Sequence, residues 1–528
     1  MKLSGLNMLG SHTSGIGQKR FKAINPATLG ELDTEFIEAR PEEIDRAVTM
    51  ASEAFDAFRE RSYIDRASFL EAIADEIMET GDSLIERCTE ETALPEARLT
   101  GERMRTVNQL KLFASVLREG TWLDARIDTA IPDRQPAPRP DIRQMQVALG
   151  PIGIFGASNF PLAFSVAGGD TTSALAAGCP VIVKAHPLHP GTSELVARAI
   201  IQAIKKSDMP DGIFSMIHGA SKEVGMALVN HPELRAIGFT GSFKGGKAIF
   251  DAANARNVPI PVFAEMGSVN PVFILPNAMK ERGESIAQGM LQSFTLGTGQ
   301  FCTNPGLTIS NASKDTDGFI KKIGELASDS APGTMLSGEI KSNFMDWVWR
   351  LNSHDGVDQL ASGEDTLEGN KVKAKLFNTT GEVFMKNPDL AEEVFGPSTT
   401  MVSTSGRQEM INMAKKMDGH LTATIHGNEQ DMEEYRDLIR VLELKVGRLI
   451  FNGYPTGVEV CHSMVHGGPF PATTASQSTS VGTAAIKRFS RPICYQDFTQ
   501  TTLPDALKDE NPLGIWRMIN GKMTRDPV

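Results

Sequence analysis

Val147-Ala-Leu-Gly-Pro-Ile-Gly-Ile-Phe-Gly-Ala-Ser-Asn-Phe-Pro161 is the stretch on which the reading of the fold turns. An apolar run, Val147–Phe155, ends in glycine and then in a side-chain amide, Asn159, two residues before a proline. Short apolar runs of this kind, bounded by turn residues, are the mark of strands buried on both faces. From Gln146 onward they recur at Val181–Lys184, Phe214–His218, Ala236–Thr240, Pro261–Ala264 and Pro271–Leu275. Between them lie amphipathic segments. One follows Gly191-Thr-Ser-Glu and carries Leu195, Val196, Ala199, Ile200 and Ala203 on one face, with Thr192 or Ser193 as the expected N-cap. Strands alternating with helices of this length predict an α/β fold with a parallel sheet.

The flanks read differently. Arg40–Arg118 is helical in pattern, with apolar residues at three- and four-residue spacing in Glu42–Arg59 and Ile64–Met78. It runs into Ile131-Pro-Asp-Arg-Gln-Pro-Ala-Pro-Arg-Pro-Asp-Ile-Arg143, where proline density excludes a helix and predicts an extended arm or edge strand. Further strands at Thr422–Ile425 and Arg448–Phe451 predict a second α/β domain. The last 25 or so residues are charged and aperiodic, and are expected to pack on a partner or fray.

Composition narrows the class of function. With 528 residues, 41% hydrophobic and 22% charged, the chain is long enough for several packed domains and too apolar to be disordered. Its net charge of -12 gives no footprint for nucleic acid or an anionic membrane. No apolar run reaches the ~18 residues of a membrane span, and the N-terminus lacks a signal-peptide core. Five scattered cysteines form no CxxC pair and no zinc-ligand spacing, so no metal site is expected and a reducing, cytoplasmic setting is.

Five segments carry chemistry. Asn159 either presents an amide where negative charge develops or closes an Asx-turn before Pro161. Phe239-Thr-Gly-Ser-Phe-Lys-Gly-Gly246 takes a strand through a Gly-Ser turn into a helix expected from Lys244; this is a phosphate site or a plain strand-to-helix turn, and it is not GxGxxG. In Phe263-Ala-Glu-Met-Gly-Ser-Val-Asn-Pro271, Glu265 interrupts an apolar run and so must be paired, solvated or used. Gly297-Thr-Gly-Gln-Phe-Cys302-Thr-Asn304 places a cysteine after a glycine-rich turn near an expected helix start, which would favour a thiolate; the alternative is a small buried hydrophobe. Glu392-Glu-Val-Phe-Gly-Pro397 is a carboxylate pair before a Gly-Pro turn.

In this order and spacing the five segments resemble the aldehyde dehydrogenase superfamily, from Asn25-Pro-Ala-Thr-Leu-Gly-Glu31 to near Tyr495. Gly153–Ser165 and Val183-Lys-Ala-His-Pro-Leu-His-Pro-Gly-Thr-Ser193 are similar to the branch of 2-oxoglutarate semialdehyde dehydrogenases and bacterial NADP-dependent fatty-aldehyde dehydrogenases. The resemblance implies a variant Rossmann cofactor domain (1–130 and 147–264), a catalytic α/β domain (265–460), a small β oligomerisation flap (131–146 and 485–503) and a tail (504–528). It implies Cys302 as nucleophile, Asn159 as oxyanion donor and Glu265 as the base that hydrolyses a thioester. Lys184, Gly241, Ser242, Glu393, Phe395, Phe155 and Pro187 would contact NADP or NAD. Where NAD-preferring members often carry a glutamate, this chain has Pro187, and Lys244 replaces an acidic residue of the turn; both tilt the expectation to NADP.

In Cys461-His-Ser-Met-Val-His466-Gly-Gly-Pro-Phe-Pro471, His466 resembles a histidine that the fatty-aldehyde branch places beside its cysteine; the alternative is a loop histidine bonded to backbone, and His462 has less claim. The implied substrate is a small aldehyde, 2-oxoglutarate semialdehyde ahead of a long-chain aldehyde, and the implied assembly a homodimer or homotetramer. Arg139, Arg143 and Ser165 are the sequence candidates for a carboxylate anchor, and Phe160, Phe164 and Phe301 for an apolar funnel. A coenzyme A-acylating enzyme and a non-catalytic relative are the rival readings.

Overall fold

The computed structural model describes residues 2–362 and 368–528. Two seven-stranded sheets organise it. In the first, Val262–Glu265, Ala236–Thr240, Ile152–Phe155, Val181–Lys184 and Phe214–Ile217 run parallel in that spatial order, and an N-terminal hairpin of Asn7–Leu9 and His12–Ser14 extends the far edge antiparallel. The order reverses between Ile152–Phe155 and Ala236–Thr240. At such a switch point the chains leave their strands in opposite directions and open a crevice at the carboxyl ends. Residues 157–159 and 240–244 lie in that crevice.

The second sheet is built on Val272–Ile274, flanked by Leu307–Asn311 and His420–His426. Beyond these lie Ser398–Thr404 and Lys375–Thr380 on one side and Val446–Phe451 on the other, all parallel. Asp358–Ser362 closes the edge antiparallel. Separate apolar cores lie against the two sheets, the larger joining the helices Tyr63–Glu79 and Glu96–Glu119 to the first. No helix among the described residues is long and apolar enough to cross a membrane.

Three details differ from the sequence reading. The run Val147–Phe155 is two strands, not one. Ile142–Ala148 belongs to a separate five-stranded sheet and Ile152–Phe155 to the first sheet. Gly150, at φ 128°, and Pro151, with no N–H to give a ladder, make the break.

The helix expected to be capped at Thr192 or Ser193 starts earlier, at Pro190, and the side chain of His189 at its N-cap does not cap the first N–H groups. Pro190 presets the first helical φ. The open N–H groups of Gly191 and Thr192 go instead to the carboxylate of Glu91, at 2.7 and 2.8 Å. The cap is supplied from 100 residues away, so no local pattern reveals it.

The tail does not fray. Arg517–Ile519 and Lys522–Thr524 complete the five-stranded sheet, whose order runs from Ser490–Gln496 through Ile142–Ala148 and Arg126–Asp128. Arg517 is fully buried and donates to the carbonyls of Lys508, Asp509 and Asp526, while Asn511 binds those of Ile515 and Arg525. Side-chain bonds to the main chain order this segment, which is why it shows no apolar period.

Candidate active site

Cys302 lies between the two sheets. The helix Pro276–Thr295 ends in a 3-10 turn, Leu296–Gly299, in which Gly297, Thr298 and Gly299 all have positive φ. A Cβ on Gly299 would stand 2.2 Å from the Gly396 carbonyl oxygen, so only glycine lets the two turns meet. Gln300 locks the turn by accepting from the Leu336 N–H at 2.9 Å. Asn270 donates its amide to the carbonyls of Cys302 and Asn304, at 2.8 and 2.9 Å. No helix begins at Cys302: the residue follows a helix end and precedes the strand Leu307–Asn311. The thiolate-favouring helix start expected from sequence is therefore absent.

What surrounds the sulfur is a charged cluster. His466 Nε2 lies 3.4 Å from Cys302 Sγ in hydrogen-bonding geometry and 2.8 Å from Glu265 Oε1. Ser480 donates to the other Glu265 oxygen, and the His466 N–H is held by Thr479 Oγ1 at 2.8 Å. The His466 and Glu265 side chains are 0% and 3% exposed, which excludes bulk water from the pair.

Burial alone would raise the Glu265 carboxyl, but His466, Ser480 and Arg488 outweigh it and hold the group below the usual range. Burial first, then the charges of Glu265 and Glu393, push the Cys302 thiol well up. At rest this is a protonated thiol beside an ionised carboxylate. Glu265 and His466 have the position to take its proton.

A cavity of about 610 Å³ opens from Cys302. Asn159, Glu265, Gly241, Ser242, Glu393 and Phe395 line it, and one wall is the helix Gly338–Asn352, which the sequence reading did not foresee. The Asn159 side-chain amide donates to the Gln300 carbonyl at 2.8 Å, and its main-chain carbonyl accepts from Arg98 at 2.7 Å. Ser242 caps the helix Phe243–Asn254, one residue earlier than expected, accepting from the Gly245 N–H at 3.3 Å. Burial raises the Glu393 carboxyl to about 7, opposed by a Ser268 N–H and assisted by Glu392. Gly267 makes room for it, since a Cβ there would fall 2.2 Å from Glu393 Oε2.

The remaining sequence candidates lie elsewhere. Lys184 ends its strand, and burial lowers its amine to about 8 while Glu38 opposes the shift. Lys184 and Pro187, in the turn that follows, are outside the cavity lining. Phe155 packs in the apolar core, its ring 6.3 Å from that of Phe239, and does not face the cavity.

Arg139 and Arg143 are committed to the five-stranded sheet. Arg139 donates to Thr129 and Asn520, and Arg143 to Asp141, Asp509 and the Leu507 carbonyl. Phe160 and Phe301 meet edge to face at 5.1 Å, and Phe160 and Phe164 at 5.3 Å. Guanidinium groups cover them: Arg98 lies over Phe160 and Phe301, and Arg105 over Phe164. Neither arginine stood out in the sequence, where both read as polar positions of a helix.

The cavity has the size of a cofactor-sized ligand site. A helix N-terminus with Lys244 beside it suits a diphosphate, and the half-buried Glu393 carboxyl suits a ribose hydroxyl, so the lining fits a nicotinamide dinucleotide. Comparison with known proteins agrees. Residues 12–481 match the Aldehyde dehydrogenase family. The chain is 48% identical over 523 residues to alpha-ketoglutaric semialdehyde dehydrogenase 2 of Azospirillum brasilense, covering 99% of this chain and 100% of that one. It is 46% identical to alpha-ketoglutaric semialdehyde dehydrogenase of Acinetobacter baylyi, covering 93% of each. An aldehyde dehydrogenase from Bacillus cereus, solved with NAD+, shares the fold at a TM-score of 0.79 and 23% identity, over 93% of this chain and 96% of that one. The fold, the cysteine-centred cavity and these likenesses agree: the chain belongs to the aldehyde dehydrogenase family.

Proposed function

We propose that the protein oxidises 2-oxoglutarate semialdehyde to 2-oxoglutarate, through a thiohemiacetal and then a thioester on Cys302. The observation that carries the mechanism is the convergence of Cys302, His466 and Glu265 where a cofactor-sized cavity meets the nucleophile. The names of the relatives at 46–48% identity support the substrate.

As the Cys302 proton passes to the His466–Glu265 pair, the sulfur attacks the aldehyde carbon and the carbonyl electrons move to oxygen. The Asn159 amide and the Cys302 N–H receive that oxyanion. A nicotinamide, when bound, supplies the hydride acceptor. Once the first proton has been passed on from the pair, the ionised Glu265 takes a proton from water as the water oxygen adds to the thioester carbon. The C–S bond then breaks, the acid departs, and the sulfur keeps the electron pair and regains a proton from Glu265. Glu265 in contact with the nucleophile favours hydrolysis over acyl transfer to coenzyme A.

Arginines over the phenylalanine cluster disfavour an apolar funnel, and so a long-chain substrate. For the cofactor we favour NADP use alongside NAD, because Pro187 offers no carboxylate to repel a 2′-phosphate and Lys244 adds a cation. We also read the strand Ser490–Gln496 as the contact of a homo-oligomer, since it is the outer strand of its sheet with one ladder edge unpaired. Reduced-cofactor formation, with NAD and NADP each crossed against 2-oxoglutarate semialdehyde, succinate semialdehyde and a long-chain aldehyde, tests the reading. The highest kcat/KM is expected for the oxo-acid aldehyde; preference for the long chain would overturn the substrate.

A further inference from the structure

A substrate with a carboxylate at one end needs a cation near Cys302, and the two arginines expected from sequence are committed elsewhere. Two others lie in the neighbourhood of Cys302. Arg105 comes from the helix Glu96–Glu119 and Arg448 from the strand Val446–Phe451 of the second sheet. Both donate to the same loop. Arg448 donates to the carbonyls of Pro455 and Gly457, at 2.7 and 3.1 Å, and Arg105 to that of Val458 at 3.5 Å. Burial lowers both guanidinium pKa values, and the Cys302 sulfur opposes the shift in both. For Arg105, the charges of Glu102, Glu265 and Glu459 do so too.

Among the described residues neither arginine forms an ion pair, and Arg105 Nη1 and Arg448 Nε are shielded without a hydrogen-bond partner. A guanidinium has five N–H donors, so Arg105, with one long bond, keeps most of its fork free. It also sits close to the chemistry. Its guanidinium lies 5.0 Å from the Phe164 ring centroid, and that ring lies 6.3 Å from the ring of His466, which touches Cys302 Sγ. A shielded, unpaired cation is costly unless an anion completes it.

We propose that Arg105 anchors the substrate carboxylate by its free guanidinium edge, and that Arg448 is a positioning residue holding the 455–458 loop beside it. The ligand class is a short ω-aldehyde acid. In an extended five-carbon chain about 5 Å separates the carboxylate carbon from the aldehyde carbon. The inference rests on the oxo-acid reading above.

The holoenzyme is assayed as wild type, Arg105→Met and Arg105→Lys, with 2-oxoglutarate semialdehyde, glutarate semialdehyde and the neutral pentanal. Loss of a charged, two-pronged bond is expected to lower kcat/KM of Arg105→Met for both acids about 100-fold, mainly through KM. The change for pentanal should stay within about threefold, and Arg105→Lys should lie between. Equal losses for acids and pentanal would show that Arg105 serves the thiol instead, and unchanged values for the acids would place the anchor elsewhere; either overturns the proposal. A wild-type enzyme preferring pentanal to the oxo-acid would fail the substrate reading itself, and the anchor with it.

Should the Met variant not fold, the wild type decides alone. Glutarate, but not glutaramide, is expected to slow alkylation of Cys302 by iodoacetamide, and equal protection by both, or by neither, would overturn the proposal.

Discussion

The two ends of the main cavity are built on opposite terms. Around Cys302 the reacting groups are packed against one another: His466, Glu265 and Ser480 form one buried chain, and Asn270 and Gln300 hold the turn beneath. At the other end the Ser242–Gly245 turn is open, with Phe243 42% exposed and Lys244 on the surface. Bond making and breaking needs groups fixed before the substrate arrives, because reorganising dipoles during reaction adds to the barrier. Holding and releasing a dinucleotide each turnover needs surfaces that stay accessible. Substitutions at the packed end should therefore change rates by orders of magnitude, and those at the open end should mainly shift preference.

The largest expected effect is that of Cys302→Ala. Aldehyde oxidation should fall on the order of 10⁴-fold or more, while titration with reduced cofactor still shows binding at the open end. Substantial turnover would remove the nucleophile from the account. Next is Glu265→Gln, which should slow thioester hydrolysis by about 10² to 10⁴-fold and leave a burst of reduced cofactor followed by slow turnover. Absence of the burst would move Glu265 to an earlier step.

A third expectation concerns pH and has a definite sign. The Cys302 thiol is raised by burial and then by Glu265 and Glu393, so its alkylation by iodoacetamide should still be rising at pH 9. Glu265→Gln removes one of those negative charges and should shift the profile to lower pH; a shift upward would contradict the arrangement. The smallest effect is expected in the turn after Lys184, outside the cavity lining. Pro187→Glu should raise the NAD-to-NADP ratio of kcat/KM about tenfold, ~1.4 kcal/mol, and an unchanged ratio would remove that position as the discriminator.

What the sequence disclosed follows the same division. The strands Val181–Lys184 and Ala236–Thr240 were legible to the residue, because buried parallel strands are short apolar runs with sharp polar ends. Cys302, Glu265 and Asn159 were singled out by glycine-rich turns and one carboxylate in an apolar run, each with a structural alternative left open, and their roles were implied by the family resemblance. The contacts that give these groups their state were not legible. Ser480 reaches Glu265 across 215 residues and Gln300 meets Asn159 across 141, and no periodicity encodes such pairings. Arg105 was hidden for a different reason: on a helix it reads as a solvated position, and only the packing of Phe164 beneath it shows that it turns inward. The tail was missed because its order lies in Arg517 and Asn511 bonding to carbonyls, which leaves no apolar stripe.

The central claim is that Cys302 carries the acyl group that Glu265 releases. Its most direct test is the intact mass of Glu265→Gln mixed with 2-oxoglutarate semialdehyde and cofactor, followed by peptide mapping. The account predicts an acyl adduct on the peptide containing Cys302, formed at the rate of the cofactor burst. No adduct, or one on Cys461 with Cys302 unmodified, would contradict it.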